Sequence, residues 1–101
     1  MKKIFTILFI SFLFSKDDNS FLSKATLAIK SRNYKEALVH ISKAENNNQK
    51  NPELFRLKAL TYEMLDEPLK ARIAWKKCLK YAKDLNIKRE AKIHIKNLSK
   101  N

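Results

Sequence analysis

Apolar residues along this chain recur every three or four positions instead of alternating, and the pattern predicts five helices with no strands. Phe21, Leu22, Ala25, Ala28 and Ile29 share one face of a helix over about 19–31. Ala37, Ile41 and Ala44 mark a second over about 35–46, and Phe55, Ala59, Tyr62 and Leu65 a third over about 52–65. Ala71, Trp75 and Cys78 lie on a fourth over about 68–84, with Ile87, Ala91, Ile95 and Leu98 on a last one over about 87–98. The breaks fall where helix chemistry fails. Asn33 is the residue expected to adopt the left-handed turn after the first helix, and Asn46, Asn47 and Asn48 form a poor helix former run that opens a linker at 47–51. Asn51 before Pro52 and Glu53 reads as an N-cap, Pro68 repeats the start signal, and Asn86 divides the last two helices.

The first two helices and the next two are the same pattern written twice, 34 positions apart. Phe21 recurs as Phe55, Ala25 as Ala59, Ala37 as Ala71 and Lys43 as Lys77, while Ile41 is answered by Trp75 and Ala44 by Cys78. A fixed period in this range points to stacked helical hairpins. Small residues let backbones approach, and the bulky residue fills the space between neighbours, so these positions read as core and not as ligand contacts.

This period, with an aromatic opening the first helix and small residues bracketing a bulky one in the second, resembles the tetratricopeptide repeat. Phe55, Ala59, Tyr62, Ala71, Trp75 and Cys78 match the packing positions of one repeat, and Phe21, Ala25, Ala28, Ala37, Ile41 and Ala44 those of the repeat before it. Tyr34 also fits the family's inter-helix turn, whereas its counterpart Pro68 departs from it. The resemblance implies an all-α fold: a short right-handed solenoid with repeats at about 20–46 and 52–84 and a capping helix. It also implies a concave groove lined by Leu22, Thr26, Ile29, Arg56, Leu60, Glu63 and Met64, suited to a protein or peptide with apolar anchors. The alternative is that Leu22, Leu60 and Met64 bury against one another. The Lys and Asn clamp with which some members hold a peptide carboxylate is missing, because the matching positions are Leu22, Thr26, Leu57, Ile87 and Ala91. Solenoids generally need about three repeats, so self-association or a larger partner is expected to complete the stack.

The start of the chain has a different character. Met1, Lys2 and Lys3 precede an apolar run from Ile4 to Phe14, and Ser15 stands before Lys16, Asp17 and Asp18. Residues 1–15 read as an export signal, which places the protein in the periplasm or envelope, with 16–19 as a linker. Eleven residues from Ile4 to Phe14 span about 16 Å of helix, against roughly 30 Å of hydrocarbon. An uncleaved tether and a first helix of a cytoplasmic fold are the alternatives, since Leu13 sits where a small residue is usual. Once such a leader is gone, the remaining chain buries only roughly 60–65% of its unfolded surface.

Charge changes the picture again. The chain carries a net +12, yet 16–69 holds only +1 and 70–101, with eleven basic and two acidic residues, holds +9. Lys76, Lys77, Lys80, Lys83, Arg89, Lys92 and Lys96 form a candidate patch for an acidic protein or an anionic membrane, the alternative being an ordinary solvated face. Nucleic acid is disfavoured, because Trp75 and Tyr81 are the only aromatics beyond Tyr62. Candidate chemistry adds little. The chain has no glycine for a phosphate loop, its single cysteine sits in a packing slot, and His40 and His94 lack partners at metal-ligand spacing. No catalytic, metal or cofactor role is therefore expected.

Overall fold

The computed structural model describes residues 17–48 and 50–99, with side chains from Ser20 onward. The expected export segment lies outside the described residues. No described helix is long and apolar enough to cross a membrane. Five α-helices follow one another: α1 (Asp17–Lys30), α2 (Tyr34–Asn47), α3 (Pro52–Met64), α4 (Pro68–Tyr81) and α5 (Leu85–Leu98). There is no strand among the described residues. The most extensive contacts join α1 to α2 and α3 to α4, so each pair is a hairpin. Helix α3 packs on α2 and also reaches α1, while α5 lies on α4.

Small residues set these approaches. Ala25, Ala37, Ala59, Ala71, Cys78 and Ala91 have no exposed surface, and Ile41, Leu54, Phe55 and Trp75 fill the space between the alanine stripes. Phe55 stacks on Tyr81 with ring centroids 5.8 Å apart. Leu54, Leu57 and Thr61 are buried on the stripe beside Lys58, whose ammonium reaches Glu45 of α2 at 2.8 Å. This is the face α3 turns to the first hairpin. The positions 34 residues earlier are half-buried Ser20, exposed Ser23 and Leu27, the last 63% exposed.

Both hairpin turns are built alike. After α1, the Asn33 amide donates to the Ala28 carbonyl at 2.8 Å and the Arg32 amide to that of Ile29 at 3.0 Å. After α3, Glu67 donates to Tyr62 at 2.9 Å and Asp66 to Glu63 at 3.0 Å. These are two Schellman closures 34 residues apart. The left-handed residue is Arg32 in one (φ 63°) and Asp66 in the other (φ 58°), where glycine is usual. Asn33, expected in that role, stands one residue later as the N-cap of α2, with no side-chain cap bond. The register of the 6→1 bond decides this, not the tolerance of asparagine for positive φ.

Asn51 is the N-cap of α3 and accepts from the Glu53 amide at 3.0 Å. The last boundary differs from expectation. Helix α4 ends at Tyr81 and not near 84, because Ala82 is extended (φ −69°, ψ 137°), and Asn86, expected to divide the two helices, lies inside α5, which Asp84 caps by accepting from the Asn86 and Ile87 amides. Residues 17–19, expected as linker, belong to the backbone of α1.

Candidate functional site

Two surfaces were expected to carry function. On the inner strip, Leu22, Ile29 and Leu60 are half-buried and packed against the core. Thr26 donates its hydroxyl to the Leu22 carbonyl at 2.9 Å, and Met64 stands 58% exposed. Both charges of the strip are already engaged. Arg56 grips Glu90 of α5 through Nε (2.6 Å) and Nη2 (3.3 Å) and Glu53 through Nη1 (3.1 Å). Its guanidinium is pushed above its ordinary value chiefly by the Glu90 hydrogen bond, with Glu53 adding and burial opposing. Glu63 accepts from the buried Trp75 indole at 2.6 Å and lies 2.8 Å from His94 Nδ1, while Trp75 and His94 stack with ring centroids 4.3 Å apart. Arg56 and Glu63 thus fasten α3 to α4 and α5.

The expected basic patch is laid out differently. Lys76, Lys77, Lys80, Lys83, Arg89, Lys92 and Lys96 are all exposed, and none is paired with a carboxylate among the described residues. Helical spacing puts Leu69, Ile73, Lys76 and Lys80 on one outer stripe of α4, and Leu85, Arg89, Lys92 and Lys96 on one outer stripe of α5. Each stripe begins apolar and ends basic. Leu69 and Leu85 are among the most exposed apolar residues described.

A recess between α3 and α4 joins this basic surface to the hairpin interior. Phe55, Lys58 and Tyr62 line it from α3, and Lys70, Ile73, Ala74 and Lys77 from α4, around a volume of about 260 Å³. Lys77 Nζ lies 5.5 Å above the Phe55 ring and Lys70 Nζ 5.7 Å above that of Tyr62, within cation–π range. No acidic side chain lines it. Glu45 holds Lys58 and Glu67 holds Lys70 at 3.1 Å, both from outside, and Lys77 pairs with no carboxylate among the described residues.

The equivalent positions of the first hairpin are Phe21, Lys24, Ala28, Glu36, Val39, His40 and Lys43. Lys24 and Lys43 also sit over Phe21, each at 5.9 Å, but Glu36 replaces Lys70, and His40 replaces Ala74. His40 Nε2 stands 3.7 Å from Glu36. The recess beside Glu36 and His40 is wider, at about 390 Å³, with Ala28 where the second hairpin has Tyr62 and a carboxylate where it has Lys70. Sequence reasoning passed over Lys58, Lys70 and Ile73. Their signal was the pairing of Phe55, Lys58, Tyr62 with Lys70, Ile73, Lys77 across two helices, each triplet at i, i+3, i+7.

Comparison adds no relative. No family model matches the chain, and neither a curated protein nor a solved structure shows significant similarity to it.

Nucleophilic chemistry has poor footing in the described residues. Cys78 is fully buried, and its thiol is raised from 9.0 to about 11 by burial, with Glu90 and Glu53 adding and Arg56 opposing. No three His, Cys, Asp or Glu side chains among the described residues come together as a metal-holding group.

Proposed function

We propose that the chain is a non-catalytic binding module of the cell envelope, its hairpins stacked as a short tetratricopeptide-like solenoid capped by α5. The observation that carries this reading is the geometric repeat. Ala25 and Ala59, Ala37 and Ala71, Ile41 and Trp75, and Ala44 and Cys78 are buried in equivalent places, and the two Schellman closures fall 34 residues apart. Stacked hairpins expose more helix surface than they need for their own core, and that surface is what such folds use for partners. The envelope location rests on the charge and hydropathy of residues 1–15.

A photoreactive residue placed at Met64 or at Lys80, in cells, tests the reading. A discrete protein adduct at either position supports it, and absence of any protein adduct at both contradicts it. N-terminal sequencing of protein recovered from fractionated cells checks location: a mature start near Lys16 supports export, and an intact Met1 in the cytoplasm contradicts it.

A second reading has its own observation. The seven unpaired basic residues on α4, α5 and the link between them suit a peripheral adaptor, membrane-associated or cytoplasmic, that meets an acidic partner or an anionic bilayer through its C-terminal helices. Retention of the protein on phosphatidylglycerol vesicles, lost on triple charge reversal at Lys76, Lys80 and Lys83, would favour it.

A further inference from the structure

We infer that the recess between α3 and α4 seats one apolar side chain of an acidic peptide segment, whose flanking carboxylates pair with Lys77 and Lys70. The inference rests on the binding-module reading and names the partner's chemistry. Two properties of the recess select this occupant. Its floor is Phe55, Tyr62 and Ala74 with Ile73, 59% exposed, at the edge. At about 260 Å³ it falls below the roughly 300–1,000 Å³ of drug-sized ligand sites, which suits a single side-chain anchor.

Every charged group on its rim is cationic. Lys58, Lys70 and Lys77 surround it, the last two from the segment 70–101, which carries +9. Lys77 has no carboxylate partner among the described residues, and Lys70 has only the i,i+3 carboxylate of partly exposed Glu67, a pair worth little in water. An incoming carboxylate exchanges that weak pairing for contact with ammoniums already held over aromatic rings. The inner strip offers no such opening, because Arg56 and Glu63 are engaged by Glu90, Glu53, Trp75 and His94. A flat bilayer is the poorer fit, since the apolar floor lies recessed between the helices.

The first hairpin provides the control. Glu36 in the slot of Lys70 puts a like charge where the peptide's carboxylate would rest, and Ala28 in the slot of Tyr62 takes an aromatic ring from the lining. Binding is therefore expected at one hairpin of the two.

The test is fluorescence anisotropy on the full-length chain with a labelled peptide of about twelve residues, a single Phe flanked by Glu and Asp. Lys77→Glu is expected to weaken binding roughly tenfold, and Lys70→Glu, which copies the first hairpin, by a similar factor. Lys43→Glu should change it less than about twofold, since that rim charge lies in the other hairpin. Ile73→Ser, at an exposed position that leaves the fold intact, should weaken it about fivefold. Replacing the peptide's Phe with Ser should abolish saturable binding. Unchanged Trp75 emission verifies folding of each variant. Equal losses from Lys43→Glu and Lys77→Glu, indifference to the peptide's Phe, or binding to phosphatidylglycerol vesicles in place of the peptide would each overturn the inference. If the peptide fails while Met64 or Lys80 crosslinks a protein in cells, the recess falls and the module reading stands. If the peptide fails and neither position crosslinks a protein, both fall.

Discussion

The two hairpins share a backbone and differ in chemistry. In the first, the residue between alanines on the second helix is Ile41, buried without polar partners; in the second it is Trp75, whose indole is tied to Glu63 and stacked on His94. Leu22 in the first corresponds to Arg56 in the second, which reaches on to Glu90 another 34 residues along. The second hairpin has neighbours on both sides and spends its charged inner residues on holding them. Its outer lysines are left for something else. Repetition therefore explains packing, and the departures from repetition locate the candidate surface.

The sharpest way to break this comparison is to remove the aromatic that distinguishes the second hairpin. Trp75→Ala should cost about 3–5 kcal/mol in urea denaturation, leaving a cavity and a Glu63 that keeps only His94. That is much of the stability of a small domain. Ile41→Val at the equivalent place should cost only about 0.5–1.5 kcal/mol. Similar small losses at both sites would mean that Trp75 does not anchor the stack.

Alkaline stability probes the next difference, Cys78 against Ala44. The folded thiol is raised to about 11 from 9.0, so the unfolded chain gives up its proton first as pH rises. The thiol's contribution is thus whole below pH 9.0 and fades between there and about 11, by roughly 2 kcal/mol. Cys78→Ala, which copies the first hairpin, should lack this component of the alkaline loss, and the wild-type thiol should resist alkylation until the protein unfolds. Rapid alkylation of the folded protein would contradict the burial.

Smaller effects sharpen the comparison at its edges. Arg56→Leu, again the residue of the first hairpin, removes a bidentate link that is about a third exposed and should cost about 1 kcal/mol. Arg32→Gly should stabilise the protein by about 0.5–1 kcal/mol by relieving a left-handed arginine, with a smaller gain for Asp66→Gly because aspartate tolerates that region. A loss of stability in Arg32→Gly would mean that the side chain at this turn has another task.

Helix order, the cap at Asn51 and the alanine stripes were legible because each depends on residues within a turn or two of one another. The register of the turns was not. Arg32 takes the left-handed position in place of Asn33 because the closure is fixed by the bond from Asn33 to Ala28, and Asp84 outcompetes Asn86 because its carboxylate reaches two amides. The link from Glu63 to Trp75 and His94 spans 12 and 31 residues across three helices, with no local pattern to reveal it. The strip residues could be placed on a face, but only their partners showed that both charges were engaged. The recess escaped notice because its rim is divided between two helices that each looked ordinary alone.

The central claim is that one hairpin binds and its structural twin does not. An NMR titration of the isotope-labelled full-length chain with the acidic Phe-containing peptide tests it most directly. The account predicts saturable shifts centred on Tyr62, Ile73, Ala74 and Lys77, with the equivalent Ala28, Val39, His40 and Lys43 unmoved. Equal shifts in both hairpins, or shifts running along Leu22, Leu60 and Met64, would contradict it.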